Sequence, residues 1–124
     1  MQETTEMARQ LSREEANAIH SLINVLERFR SLNPDMPIQQ MLMFFDVATH
    51  EGTSLKDVCA RMDIAQSTGS RNIIGLTKEG KSRDDRGGLN LVRTFDDPED
   101  YRRKIIELTP DGRVLLMSIL KATT

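Results

Sequence analysis

In the stretch "DIAQSTGSRNIIGL", Asp63 to Leu76, six successive positions hold an amide, three hydroxyls, a glycine and a guanidinium: Gln66, Ser67, Thr68, Gly69, Ser70 and Arg71. Their chemistry is hydrogen bonding, from donors and acceptors on short side chains with one long cation at the end. It is not bond making. No histidine stands beside a nucleophile and no glycine-rich phosphate loop is present. His20 and His50 lie far apart without metal-ligand spacing, and both read as solvated or helix-end residues. "DDPED", residues 96–100, lacks the ligand positions of a calcium loop and contains Pro98. Cys59 is the only cysteine, so an intrachain disulfide and a cysteine-rich zinc site are both excluded. It lies on the apolar stripe of a helix with no basic residue on the same face, which makes it a buried, inert thiol. Neither an enzyme nor a cofactor nor a metal is expected.

Charge narrows the reading further. The net charge is −2 over 124 residues, which argues against broad adhesion to polyanions. Along the chain the balance changes: residues 61–86 carry six bases (Arg61, Arg71, Lys78, Lys81, Arg83, Arg86) against four acids (Asp63, Glu79, Asp84, Asp85), for +2. Residues 1–36, with four bases and six acids, and 37–60, with one and three, are each −2. A locally basic segment on an acidic body suits a small, oriented electrostatic contact. Apolar residues at 38% and charged residues at 29% describe a globular chain of one-domain length. The longest apolar run, Met41 to Phe45, is far below the roughly 20 residues of a membrane span. No charged-then-apolar leader opens the chain, so a reducing, cytoplasmic setting without membrane contact is expected.

The elements that position these residues follow from periodicity. Residues 1–11 are polar and read as a tail, and residues 12–124 as a single domain. Ser12 and Glu15 form a capping box that opens a helix to about Ser31, whose Ile19, Leu22, Ile23, Leu26 and Phe29 share one face that must be buried. "NPDMP" breaks the chain, and a central helix spans about 37–50. Gly52 caps it, Ser54 with Asp57 opens a short helix, and Ile64 plugs a tight turn before a helix over 66–79. "LNLVRTF" from Leu89 and "RKIIELT" from Arg103 predict a two-stranded antiparallel hairpin, with "DDPEDY" as its turn and Leu89, Leu91 and Arg93 on one face. Thr109 and Pro110 start the last helix.

This order is the plan of a winged helix-turn-helix: a mainly α (α+β) fold with a two-stranded wing and flanking terminal helices. Residues 12–36 form a dimerisation helix and linker, 37–109 the core and wing, and 110–124 the C-terminal helix. In such a fold the second helix of the pair enters the major groove of duplex DNA with its first turns against base edges. A groove about 12 Å wide tolerates no bulk on the leading face, while base edges demand donors and acceptors. "QSTGSR" meets both demands. Gln66 suits adenine and Arg71 guanine, Ser67, Thr68 and Ser70 suit phosphates or bases, and Lys78 stands in the last turn. Lys81, Arg83 and Arg86, beside Gly87 and Gly88, form a basic wing segment over 81–103 that Arg93 and Arg102 extend toward the minor groove or backbone.

"SLKDVCARMDIAQSTGSRNIIGLTKEG" resembles the helix-turn-helix of MarR-type transcriptional regulators, and "RRKIIELTPDGRVLL" resembles their strand-to-helix junction after the wing, where "LT..G" leads into the C-terminal helix. The resemblance covers roughly Pro37 to Leu120. It implies that Ser67, Thr68, Ser70 and Arg71 face DNA, that the wing around Arg83 to Arg102 touches the minor groove or backbone, and that the terminal helices pair two chains. Three features depart from the family pattern: a longer wing, a short last helix, and Gly69 where an apolar anchor such as Val is usual, which implies weaker packing of the recognition helix.

The expected function is sequence-specific binding of double-stranded DNA by a homodimer on a palindromic site, regulating transcription. Ile19, Leu22, Ile23, Leu26 and Phe29, with Leu116 and Leu120, are the expected interface. No small-molecule effector is specified. The alternative is a winged-helix adaptor that binds protein and not DNA, in keeping with the modest charge excess and with Gly69.

Overall fold

Ser12 opens the first helix as its capping box requires. Its Oγ accepts from the Glu15 N–H at 3.1 Å, and the Glu15 carboxylate accepts from the Ser12 N–H at 2.9 Å. The computed structural model describes residues 10–80 and 88–123, so only Gln10 and Leu11 of the polar tail fall within it. The elements are α1 (Arg13–Leu32), α2 (Ile38–Thr49), β1 (Thr53–Ser54), α3 (Leu55–Met62), α4 (Gln66–Leu76), β2 (Val92–Asp97), β3 (Asp100–Leu108) and α5 (Pro110–Thr123). They form a winged helix-turn-helix with flanking terminal helices, as the element order predicted. No helix of the described residues is long and apolar enough to cross a membrane.

Helix α1 divides the face that the sequence placed together. Val25 and Phe29 turn inward, and Phe29 meets Phe44 and Phe45 of α2 edge to face at centroid distances of 5.8 and 5.6 Å. Ile19, Leu22, Ile23 and Leu26 instead stay exposed, Leu22 by 62%. The reason is α5, which packs on the inward side of α1 and accepts a hydrogen bond from Arg28 Nε at Ser118 Oγ, 2.8 Å. Phe29 therefore belongs to the core of its own chain and is not available to a second one. Leu116, also expected at an interface, is partly buried against that core, whereas Leu120 is exposed.

The sheet has one strand more than the sequence announced. Two residues, Thr53 and Ser54, pair antiparallel with Ile106 and Ile105, giving the order β1-β3-β2. So short a strand has no periodicity to read, yet it joins the start of α3 directly to the wing. The hairpin is also tighter and shifted. Asn90 adopts φ 56, which breaks the alternation: Leu91 and Val92 are both buried and Arg93 points outward. The turn shrinks to Pro98 and Glu99 because Asp97 Oδ1 accepts from the Glu99 N–H at 2.9 Å and Asp100 Oδ1 from the Arg102 N–H at 3.1 Å.

Helix α4 ends three residues before the expected Glu79. Thr77 takes an extended conformation, and both its N–H and its hydroxyl bond to the Ile74 carbonyl, at 3.1 and 2.7 Å. Thr109 starts α5 as expected, its Oγ1 accepting from the Gly112 N–H at 3.0 Å. Gly112 has a physical reason: a Cβ there would overlap the Leu91 carbonyl, so α5 can lie against the entry to β2 only without one.

Candidate nucleic-acid interface

The turn that aims α4 is short and firmly held. Asp63 takes the left-handed conformation (φ 55) at the end of α3, the Ile64 N–H donates to the Cys59 carbonyl at 3.0 Å, and Ile64 packs against the core as the expected plug. Helix α4 then begins at Gln66 with Ala65 as its N-cap, and no side chain caps it. Serine and threonine are favoured caps, so the plain explanation of "QSTGSR" is capping. That explanation fails. None of these hydroxyls serves as a cap, and the first amide groups of the helix lack a side-chain acceptor.

The side chains of the leading turns are equally uncommitted. Gln66, Ser67 and Arg71 are exposed, Thr68 and Ser70 are half-buried at the edge, and none of the five has a side-chain hydrogen bond or ion pair within the described residues. Asn72, one turn further, is committed: its Nδ2 donates to Gln39 Oε1 at 2.9 Å and to the Thr68 carbonyl at 3.1 Å, tying α4 to α2. The opposite face, with Gly69, Ile73 and Leu76, is buried. Side chains able to donate or accept thus stand on one side of the helix and its packing on the other.

Gly69 is fitted to its site rather than a gap in it. A Cβ there would overlap Cys59 Sγ and touch the side chains of Ile64 and Leu55. Cys59 of α3 occupies the space that a larger side chain on α4 would fill. Burial pushes the Cys59 thiol above its ordinary pKa, which keeps it protonated and poorly nucleophilic, in line with the inert thiol expected from its stripe.

The basic residues sort into three groups. Arg61, counted in the basic segment, is committed within the fold. Its Nη2 donates to Asp46 Oδ1 and to Thr53 Oγ1, both at 2.7 Å, and its Nε to Asp46 Oδ2 at 3.0 Å, so α3 is braced on α2 and β1. The hydrogen bond to Asp46 raises the guanidinium pKa and keeps the charge fixed. Lys78 lies past the end of α4, exposed and remote from Gln66. It belongs with the segment that follows. Of that segment Lys81, Arg83 and Arg86 lie outside the described residues.

The hairpin itself is not a basic wing. Arg93 Nε donates to Glu107 Oε1 at 2.6 Å, Arg102 Nε to Asp100 Oδ1 at 3.2 Å and Lys104 Nζ to Asp96 Oδ1 at 3.0 Å, while Arg103 Nη2 stands 3.6 Å from Asp57 Oδ2. Its four cations all have carboxylate partners, and with five acids residues 92–108 carry −1. Sequence reading missed three cations near the start of α4. Lys56, Arg103 and Lys104 line a common groove with Gln66, brought together by the β1–β3 pairing. Lys56 stands alone in an acidic stretch, so no local pattern signals it.

No family model matches the sequence, and no curated protein matches it. Solved structures do match the fold. A mutant of S. aureus MepR bound to an oligodeoxyribonucleotide superposes with a TM-score of 0.62 at 20% identity, covering 82% of this chain and 66% of that one. The PcaV transcriptional regulator from Streptomyces coelicolor, in complex with its natural ligand, gives 0.57 at 18% identity, covering 77% and 61%. The transcriptional regulator Tm0710 from Thermotoga maritima gives 0.63 at 14% identity, covering 87% and 65%. The chain spans under two thirds of the length of each. Its fold is that of the MarR-type winged-helix transcriptional regulators.

Proposed function

We propose that the chain is a sequence-specific, double-stranded DNA-binding regulator of transcription, acting in the cytoplasm as a homodimer on a palindromic site with α4 in the major groove. The observation that carries this is the uncapped start of α4, where Gln66, Ser67 and Arg71 are exposed, Thr68 and Ser70 lie half-buried beside them, and none of the five has a side-chain hydrogen bond or ion pair among the described residues. Polar groups held by a rigid fold and left unused are groups kept for a partner, and base edges and phosphates are partners of matching chemistry. A MepR structure of the same fold holds an oligodeoxyribonucleotide, which supports the reading. The exposed apolar residues of α1 and α5 support two-fold pairing, since symmetric half-sites call for a symmetric protein.

Selection of bound duplexes from a random pool tests this, followed by binding isotherms on the selected site. A palindrome is the expected product. Arg71→Ala is then expected to lose about 1–3 kcal/mol on that site and to relax its sequence preference. Unchanged affinity and preference would remove α4 from the role given to it.

The second reading, an adaptor that binds protein and not DNA, draws on the hairpin whose cations are all paired with acids. It requires that random-sequence duplex show no salt-dependent binding even at low ionic strength, whereas phosphate contacts impose a steep fall of affinity with salt.

A further inference from the structure

Between the first turn of α3 and the end of the hairpin lies a groove of about 550 Å³, open to solvent and bounded by Gln66 at the start of α4. Four cations line it, Lys56, Arg102, Arg103 and Lys104, against two carboxylates, Asp57 and Asp100. Its lining is therefore +2 on a chain of −2, and +1 once Asp96, which accepts from Lys104 Nζ at 3.0 Å, is counted with it, within a hairpin that is itself −1. Resting on the DNA-binding reading above, the geometry points to a seat for one phosphodiester of the duplex, which Arg103 enters by exchanging Asp57 for the phosphate.

Three observations converge on this. Lys56 is exposed and has no hydrogen bond or ion pair with any described residue, so its ammonium is free for an incoming anion. Arg103 is held loosely: its Nη2 is 3.6 Å from Asp57 Oδ2, too long for a good hydrogen bond, and both side chains are about half exposed. An exposed pair of this kind contributes at most about 1 kcal/mol, so a phosphate that can be approached by two N–H groups at once displaces the carboxylate readily. Position supplies the third. In a helix-turn-helix the first helix crosses the sugar-phosphate backbone while the second lies in the groove. Here the first helix is α3, Lys56 is in its first turn, and Gln66 is shared between the groove and the reading face. Because Gln66 stands at the start of α4 and lines the groove, a DNA strand running along the edge of α4 would pass over it toward the cations. The pairing of Thr53 and Ser54 with Ile106 and Ile105 holds the two walls together, so the seat is formed before DNA arrives.

Asp57 makes the inference specific. If Arg103 exchanges partners, Asp57 competes with DNA, and neutralising it tightens binding. If the pair is only a brace for the wing, neutralising it loosens binding. The experiment measures duplex affinity by fluorescence anisotropy across a salt series for the whole chain, with thermal melts to show that each variant is folded. Lys56→Ala and Arg103→Ala are each expected to lower affinity about fivefold near physiological salt, on selected and random duplexes alike, and to reduce the slope of log K against log salt by about 1. Asp57→Asn is expected to raise affinity severalfold.

Wild-type binding with unchanged slopes in both Lys56→Ala and Arg103→Ala would overturn the seat. Weakened binding in Asp57→Asn would overturn the exchange. Absence of salt-dependent binding in the wild type itself would overturn the DNA-binding reading and the groove with it, a failure seen before any variant is made.

Discussion

Gly69 and Cys59 face each other across the helix-turn-helix, and their contact sets how closely α3 and α4 approach. At an open helical position Gly→Ala stabilises by about 1 kcal/mol through helix propensity. At position 69 the new Cβ overlaps Cys59 Sγ, and overpacking of this kind costs about 1–3 kcal/mol. Gly69→Ala alone is therefore expected to destabilise. In a Cys59→Ala background the overlap disappears and the same change is expected to stabilise, a reversal of sign that a double-mutant cycle by thermal or denaturant unfolding reads directly. This exchange was hidden in the sequence, where Gly69 stood out only as a missing anchor, because the residue that fills the space lies ten positions earlier on another helix. The polar start of α4 was legible, since consecutive short polar side chains are visible in the chain itself. Phe29 was misplaced for the opposite reason: periodicity gives the apolar arc of a helix but not which edge of it a neighbour covers.

At the scale of elements, the charge map shifts most between sequence and fold. Arg61 counts as a base in the sequence, yet it is a brace that joins α3 to α2 and β1. Removing it leaves the half-buried Asp46 carboxylate without its bidentate partner, and Arg61→Ala is expected to destabilise the protein by about 1–2 kcal/mol, discounted for the partial exposure of the pair. Unfolding in denaturant checks this, and unchanged stability would show that α3 is held by its apolar stripe alone. The helices were readable because their caps are local: Ser12 with Glu15, Ser54 with Asp57, and Thr109 with Pro110 all sit where the chain said. The groove was not. Lys56 and Arg103 lie 47 positions apart in the chain, and a two-residue strand without any pattern of its own brings them together.

For the whole molecule, the apolar side chains of the terminal helices matter most. Ile19, Leu22, Ile23 and Leu26 of α1 and Val114, Met117 and Leu120 of α5 are exposed although α1 already packs on α5 within the chain. A single chain that retains this much bare apolar surface on two adjoining helices is suited to a second copy. Leu22→Lys combined with Leu26→Lys is expected to convert a dimer to a monomer by light scattering while the melting temperature of the winged core is kept, since neither side chain enters the core. A wild-type chain that scatters as a monomer at micromolar concentration would remove the two-fold arrangement.

The strand pairing of Thr53 and Ser54 has a consequence for how two copies would adapt to their target. The start of α3, on which α4 packs, is stitched to β3 of the wing, so in the proposed dimer these described elements would move as one block. Tolerance for a longer or shorter spacer between operator halves would then reside wholly in the hinge between the blocks. The permitted spacings would then be a ruler for how far the terminal helices of the proposed dimer can pivot.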